Sequence, residues 1–329
     1  MEMLKVLVVD DTIVYRKIVG DVLKAIPGVE VVGTANNGKI ALSKIKTLKP
    51  DLITLDIEMP EMSGIEVLQE LHNHPSPPKV IMLSTLTREG SEMTIKALEL
   101  GAFDFVPKPD AGTMAENLLK VKQAIEPIVS ALKRQQTTRI NIRHRISSSP
   151  PPIKKAAQRR TTPPDTPVQP LRKIKSEIVG IGISTGGPNA LTRMIPMLPG
   201  DFKAPILIVQ HMPPMFTASL ANSLNKKSQL EVKEAQDGDL IIPGRILIAP
   251  GGRQMKVVAG QDGLSRKIKI TDDPPENSCR PSVDYLFRSI AQHYVGRATG
   301  VIMTGMGSDG SKGLAQMKKN GSYVIAQDE

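Results

Sequence analysis

Apolar and polar positions in residues 1–130 fall into two alternating patterns. Short apolar runs such as Leu4-Lys5-Val6-Leu7-Val8-Val9 suit strands buried on both faces. Between them lie longer stretches with a helical pattern. The runs predict strands over 4–9, 29–34, 51–55, 79–83 and 102–106. The stretches between and after them predict helices over 13–25, 37–47, 64–72, 90–100 and 113–131. Five βα units imply a parallel sheet covered on both faces, with right-handed connections. From 133 to 176 the pattern fails. Pro150-Pro151-Pro152, Pro163-Pro164, Pro167 and Pro170 sit among Ser, Thr, Lys and Arg, a composition that denies ladder bonds and builds no core. A second α/β alternation starts near Glu177. It predicts strands over 178–183, 205–210, 246–250, 298–303 and 322–326, and helices over 188–197, 215–226, 282–293 and 309–319. Gly260-Gln261-Asp262-Gly263 predicts a hairpin turn between 254–259 and 265–270.

A chain of 329 residues is long for one core and right for two. Aromatic residues make up only 3% and Trp is absent, so the cores must be aliphatic, which suits α/β domains. The single Cys279 excludes an intrachain disulfide framework and fits a reducing compartment. No apolar run reaches the length of a membrane span, and the start, MEMLKVLVVDD, is unlike a signal peptide. The net charge of +10 invites a nucleic-acid reading, but its distribution argues against one. Twelve of the 43 Lys and Arg, against one of the 33 acidic residues, lie between Lys133 and Ser176. Both folded parts are therefore near neutral. The basic stretch fits a solvated linker, with weak attraction to polyanions or membrane surfaces as the second reading. The second domain also lacks a helix-turn-helix pattern.

Candidate chemistry clusters at strand ends. Asp10 and Asp11 follow the first strand and Asp56 the third. Three hard carboxylates converging on one crevice repel each other unless a divalent ion such as Mg²⁺ is present. Asp56, beside the open loop Met59-Pro60 and Gly64, is the best phosphoryl acceptor, and Asp10 and Asp11 orient the metal. Ser84 follows the fourth strand, where its hydroxyl can bond a phosphoryl oxygen. Lys108 follows the fifth, where its ammonium can pair with phosphoryl charge. The Lys108–Pro109 bond is a candidate cis peptide. By VVDD, LDIEMPEMSG, MLST and FVPKP, this segment resembles response-regulator receiver domains. The resemblance implies a (βα)5 fold, phosphate transfer from a histidine kinase's phosphohistidine to Asp56, and a switch in which Ser84 and Phe105 shift together.

In the second domain, Ile178-Val179-Gly180-Ile181-Gly182-Ile183-Ser184-Thr185-Gly186-Gly187-Pro188 reads as strand, glycine turn and helix start. Three readings stay open on this run alone: a nucleophile elbow at Ser184, a dinucleotide fingerprint lacking its third glycine, or a serine capping a helix. His211 ends the next strand, and Asp309 lies just beyond the strand over 298–303. Together the three would supply nucleophile, base and orienter on one sheet edge, in an order unlike that of α/β-hydrolases. His293 reads as a helix-surface residue and Cys279 as packing. Arg280 and Ser282 divide between substrate contact and turn structure.

GISTGGP, VQHMPP, IAPGG, CRPSVDYLF and TGMGSDG make residues 178–327 similar to the catalytic domain of chemoreceptor glutamate methylesterases, which also deamidate receptor glutamines. That resemblance implies a doubly wound, mostly parallel sheet and a Ser184–His211–Asp309 relay. It also implies main-chain oxyanion donors at Thr185 and Met306, chemoreceptors as substrate, and no cofactor for hydrolysis. It implies a cytoplasmic protein recruited to membrane-associated receptor arrays, with no specific nucleic acid and no membrane insertion. The expected division is a receiver over 1–132, a linker over 133–176 and a catalytic domain over 177–329. The family continues past Ala326-Gln327-Asp328-Glu329, so a missing C-terminal segment is also expected. An impaired enzyme serving as a receiver-linked interaction protein, or a receiver used mainly for recruitment on a free tether, is the alternative to a receiver that covers the esterase cleft until phosphorylated.

Overall fold

The computed structural model describes residues 3–147 and 176–327. In the first domain, β1 (Leu4–Val9), α1 (Ile13–Lys24), β2 (Val29–Ala35), α2 (Gly38–Leu48), β3 (Leu52–Asp56), α3 (Gly64–His72), β4 (Lys79–Ser84), α4 (Arg88–Glu99), β5 (Asp104–Pro107) and α5 (Met114–Ser147) follow in turn. All strands are parallel, in the order β2-β1-β3-β4-β5. The chain begins in β1, and the sheet grows both ways from it. That reversal opens a crevice at the carboxyl ends of β1 and β3, where Asp10 and Asp56 lie. Each helix start has a local reason. Asn37 and Thr87 cap α2 and α4, and Ser63 with Glu66 forms a capping box on α3.

Helix α5 is longer than the pattern predicts and carries Pro127 inside it. The sequence boundary at 132 therefore falls within a helix. The helix formers Ala131, Leu132, Lys133 and Arg134 continue it, because basic charge alone does not stop a helix. The proline-rich remainder of the expected linker, 148–175, lies outside the described residues, as do 328–329.

The second domain contains β6 (Ile178–Ile183), α6 (Gly187–Met194), β7 (Ile206–Gln210), α7 (Phe216–Asn225), β8 (Glu231–Glu234), β9 (Arg245–Ile248), β10 (Gln254–Ala259), β11 (Arg266–Thr271), α8 (Val283–His293), β12 (Ala298–Ile302), α9 (Ser311–Lys319) and β13 (Tyr323–Ala326). Six strands form a parallel sheet in the order β13-β12-β6-β7-β9-β8, and β10 and β11 pair as the expected antiparallel hairpin. The polar edge strand β8 escaped the pattern. Of Glu231-Val232-Lys233-Glu234 only Val232 is buried, so no apolar run announces it. Here too the sheet grows both ways from its first strand, β6. The carboxyl ends of β12, β6 and β7 are neighbours, and these are the ends that carry Asp309, Ser184 and His211.

The two domains pack together. Helix α4 lies against α6 and α7, and Phe105 of β5 stacks on Phe216 of α7 with ring centroids 4.6 Å apart. Ser91 and Ser219 share a hydrogen bond of 2.8 Å, and Lys227 pairs with Glu99 at 2.7 Å. Among the described residues, no helix is long and apolar enough to cross a membrane.

Candidate active site

Ser184 ends β6, and the chain turns at once. Gly186 has φ +73°, a left-handed conformation that L side chains rarely adopt, and α6 begins at Gly187. Gly186 is the N-cap and makes no side-chain bond, so Ser184 is not capping the helix. The loop after β12 folds over the turn: Ser184 N–H donates to the Thr304 carbonyl at 3.0 Å, and Thr304 Oγ1 donates to the Thr185 carbonyl at 3.1 Å. Gly305 presses so close that a Cβ there would sit 2.8 Å from Ser184 Cβ. From β7, Gln210 Nε2 holds the Ser184 carbonyl at 3.0 Å. The N–H groups of Thr185 and Met306 have no hydrogen-bond partner among the described residues.

His211 follows Gln210 at the end of β7. Its Nδ1 lies 3.1 Å from Ser184 Oγ and its Nε2 lies 2.9 Å from Asp309 Oδ2. Helix α9 is capped at Gly310, so Asp309 is free to serve another element. It lies at the N-terminus of α8, where helix N–H groups are unsatisfied and favour an anion. Oδ2 also accepts from Val283 N at 2.7 Å. Oδ1 accepts from Ser282 Oγ at 2.8 Å, Asn277 Nδ2 at 2.9 Å and Asp284 N at 3.2 Å. Burial alone would raise the Asp309 pKa, but these donors win and hold it well below the ordinary carboxylate range. For His211, burial favours the neutral ring. Its bonds to Asp309 and to Cys279 outweigh that and bring its pKa up to about 9.

Three more residues singled out in the sequence lie near this relay. Ser282 is fully buried, bonds Asp309 and caps α8 through Tyr285 N, so its role is structural and not a substrate contact. Arg280 is exposed on the rim of a cavity of about 300 Å³ that is also lined by His211, Pro214, Ser278 and Cys279. Cys279 was expected to be packing, yet its Sγ lies 3.8 Å from His211 Nδ1. It drew the packing reading because it follows no strand: the loop before α8 carries it in. The same loop brings Asn277, whose sole signal in the sequence is its place in that polar run.

In the first domain, the nearest carboxylate oxygens of Asp10, Asp11 and Asp56 lie within 4.8 Å of one another. Asp10 and Asp56 are buried and Asp11 is exposed. Lys108 Nζ reaches Asp56 at 2.7 Å and Asp10 at 2.8 Å. Burial dominates at Asp56 and lifts its pKa to about 7, although Lys108 opposes the rise. Asp10 Oδ2, for all its closeness to Lys108, accepts no well-aligned hydrogen bond. Clustered hard oxygens, with two of the three carboxylates buried, fit a divalent ion such as Mg²⁺. Ser84 points elsewhere. Its hydroxyl donates to the Gly90 carbonyl at 3.1 Å and accepts from Thr94 at 2.6 Å, so it must rotate to meet a phosphoryl group. The Lys108–Pro109 peptide is trans: Lys108 N–H is held by the Ser84 carbonyl and the Pro109 carbonyl by Tyr15, and the cis bond among the described residues is Arg280–Pro281.

The two sites are joined by β5. Asp104 Oδ2 accepts from Gly186 N at 3.0 Å, in the turn that carries Ser184. Asn189 of α6 donates to the Ala102 carbonyl at 2.7 Å. Asp104 is buried here, which pushes its pKa up to about 6 against the pull of the two N–H groups it accepts.

Fold and site thus define a two-part chain: an acidic receiver-type pocket packed on an α/β domain with a Ser–His–Asp arrangement. Comparison with known proteins makes this particular. A family model described as CheB methylesterase matches residues 179–329, and one described as response regulator receiver domain matches residues 6–119. A protein of Desulfotalea psychrophila named protein-glutamate methylesterase/protein-glutamine glutaminase is 58% identical over 329 residues, covering 100% of this chain and 90% of that protein. One of the same name from Bacillus subtilis is 44% identical, over 99% of this chain and 89% of that protein. The crystal structure of the Thermotoga maritima CheB methylesterase catalytic domain shares 44% identity, covering 47% of this chain and 82% of that one, with a TM-score of 0.45. The chain belongs to the CheB methylesterase family with an amino-terminal receiver domain.

Proposed function

We propose that the chain is a protein-glutamate methylesterase and protein-glutamine glutaminase acting on chemoreceptors, with activity governed by phosphorylation of Asp56. The observation that carries the reading is His211 bridging Ser184 Oγ at 3.1 Å and Asp309 at 2.9 Å. Neutral His211 takes the Ser184 proton at Nδ1 as Oγ attacks the γ-carbonyl of a glutamyl methyl ester. The N–H groups of Thr185 and Met306 receive the negative charge that develops on the carbonyl oxygen. Each such donor contributes about 2.7–4 kcal/mol in comparable enzymes. The imidazolium, stabilised by Asp309, protonates departing methanol, or ammonia when the substrate is a glutamine. Water, activated by the same imidazole, hydrolyses the acyl-enzyme and restores Ser184. This half needs no metal.

In the receiver, Asp10, Asp11 and Asp56 would hold Mg²⁺, which would neutralise phosphoryl charge when bound. Asp56 accepts the phosphoryl group from a histidine kinase, and Lys108 pairs with it. Ser84 leaves Gly90 to bond a phosphoryl oxygen, which disturbs α4 and, with Phe105, the contact with α7. The domain division consistent with this is a receiver, its α5 extension with the following basic segment, and a hydrolase from 177 onward. The site of action is the cytoplasmic side of the receptor array.

The test is methanol release from methylated chemoreceptor by the full chain. Ser184→Ala should reduce it by about 10⁶-fold, the scale on which comparable triads fail. Phosphoryl donor with Mg²⁺ should raise the rate of the unaltered chain, and Asp56→Asn should abolish that rise. Undiminished release by Ser184→Ala would overturn the mechanism, and a rate indifferent to phosphoryl donor would overturn the coupling.

A further inference from the structure

His211 Nδ1 faces two atoms, Ser184 Oγ at 3.1 Å and Cys279 Sγ at 3.8 Å. The first is absorbed by the hydrolytic reading and the second is not. We propose that His211 Nδ1 and Cys279 Sγ form a binding site for a borderline-soft divalent cation, Zn²⁺ being the best match, and that its occupation shuts the hydrolase.

The geometry suits the ion. Zn–N of about 2.0–2.1 Å and Zn–S of about 2.3 Å at a tetrahedral angle place nitrogen and sulfur about 3.5 Å apart. The observed 3.8 Å needs a closure of a few tenths of an ångström. Ser184 Oγ, on the same nitrogen, offers a hydroxyl as third ligand, and the cavity that His211 and Cys279 line supplies both access and water.

A second observation points the same way. A zinc-bound histidine almost always donates its other ring N–H to a carboxylate, a backbone carbonyl or water, which fixes the tautomer and leaves the first lone pair free. His211 already does this through Nε2 and Asp309. Asp309 is the outer partner and not a ligand, because its oxygens are taken by Asn277, Ser282, Val283 N and Asp284 N as well as by His211.

Binding is an acid–base exchange with no redox step. Zn²⁺ accepts the Nδ1 lone pair and the Cys279 sulfur lone pair. The thiol proton leaves to solvent, as does any proton on Nδ1. The base that Ser184 requires is then occupied. Two firm ligands and a hydroxyl make an exchangeable site, so inhibition should reverse with a chelator. The acidic receiver pocket is all oxygen and prefers Mg²⁺, so the two sites sort ions by softness.

This proposal goes beyond the esterase reading, and its main test does not depend on that reading. Cys279 is the single cysteine of the chain, so its alkylation can be followed by mass. In the full-length chain with saturating Mg²⁺, added Zn²⁺ should slow alkylation by iodoacetamide, and chelator should restore it. Asp309→Asn should raise the Zn²⁺ concentration for half-protection by about 10–100-fold, the usual cost of losing such a carboxylate. His211→Ala should lose protection, and equal protection in that variant would overturn the site. Where methanol release is measured, Zn²⁺ should inhibit at the concentrations that protect the thiol. Scaled to its own uninhibited rate, Cys279→Ser should resist inhibition and Cys279→His should regain it. Inhibition of Cys279→Ser at the concentration that inhibits the unaltered chain would also overturn the proposal. Should Cys279→Ser fail to fold, the alkylation comparison with His211→Ala decides alone.

Discussion

At the residue scale, the proposed mechanism turns on Asp309. This residue accepts five hydrogen-bond donors, and one of them is the His211 imidazole, the proposed base. That bond helps hold the His211 pKa near 9. A raised pKa keeps the ring protonated below it, so the neutral form that can deprotonate Ser184 grows as pH rises. Hydrolysis should therefore climb from neutral pH toward about 9 and level off there. Asp309→Asn removes the carboxylate and leaves burial, the largest single influence on the ring, which favours the neutral form. The inflection in kcat/KM should move to lower pH. At the same time kcat should fall by about 10⁴-fold, as in comparable triads, because the amide can hold the ring in the wrong tautomer. A pH–rate profile of both proteins measures the two effects together. An unmoved inflection would mean that Asp309 does not set the basicity of His211.

At the scale of elements, the site depends on three strand ends and one loop held against them. The loop after β12 is the least tolerant part. A Cβ at Gly305 would lie 2.8 Å from Ser184 Cβ and 3.3 Å from its backbone nitrogen. Gly305→Ala must therefore displace either the loop or Ser184. Displacement of the order of 1 Å costs about 10²-fold in rate, and overpacking costs about 1–3 kcal/mol in stability. We expect a loss of that size in kcat, with an unaltered far-ultraviolet spectrum and a lowered melting temperature. A full rate would show that the loop yields without moving Ser184. This scale also shows what the sequence could and could not disclose. Apolar runs end in Asp10, Asp56, Ser184 and His211, so strand ends, and with them the convergent side chains, were legible from pattern alone. Asp309 was legible as a residue beyond a strand, but its anchorage at the start of α8 was not, because that contact joins segments far apart in the chain. Ser282, Asn277 and Cys279 sit in a loop without periodicity, and their placement follows from the packing of α8 on the sheet. Strand β8 was invisible because one buried Val232 is too little apolar signal, and the α5 extension because its polar residues favour helix as much as they favour solvent.

At the scale of the molecule, the receiver rests on the turn and helix that follow Ser184. Asp104 takes the Gly186 N–H, Asn189 reaches back to Ala102, and Phe105 stacks on Phe216. Ser84 connects this surface to the proposed phosphoryl site, since its hydroxyl holds Gly90 of α4, and α4 is packed on α7. Under the proposed function, docking and phosphorylation would compete for the same short chain of contacts. The aromatic stack can be tested on its own. Both rings are buried, but Phe216 belongs to the hydrolase core, whereas Phe105 lies on the receiver's edge strand β5 and can be truncated without opening the hydrolase core. Phe105→Ala forfeits about 0.5–1.5 kcal/mol of ring–ring interaction together with the area it covers, so the docked form should lose about 10-fold in population. Methanol release by the unphosphorylated chain should rise, and release by the phosphorylated chain should change little, so the ratio between them shrinks. A double-mutant cycle with Phe216→Leu would isolate the ring–ring part, because Leu keeps the hydrolase core filled while removing the second ring. If Phe105→Ala left the ratio unchanged, the contact would be a resting position without control over the hydrolase, and the receiver would serve to recruit the enzyme and not to restrain it.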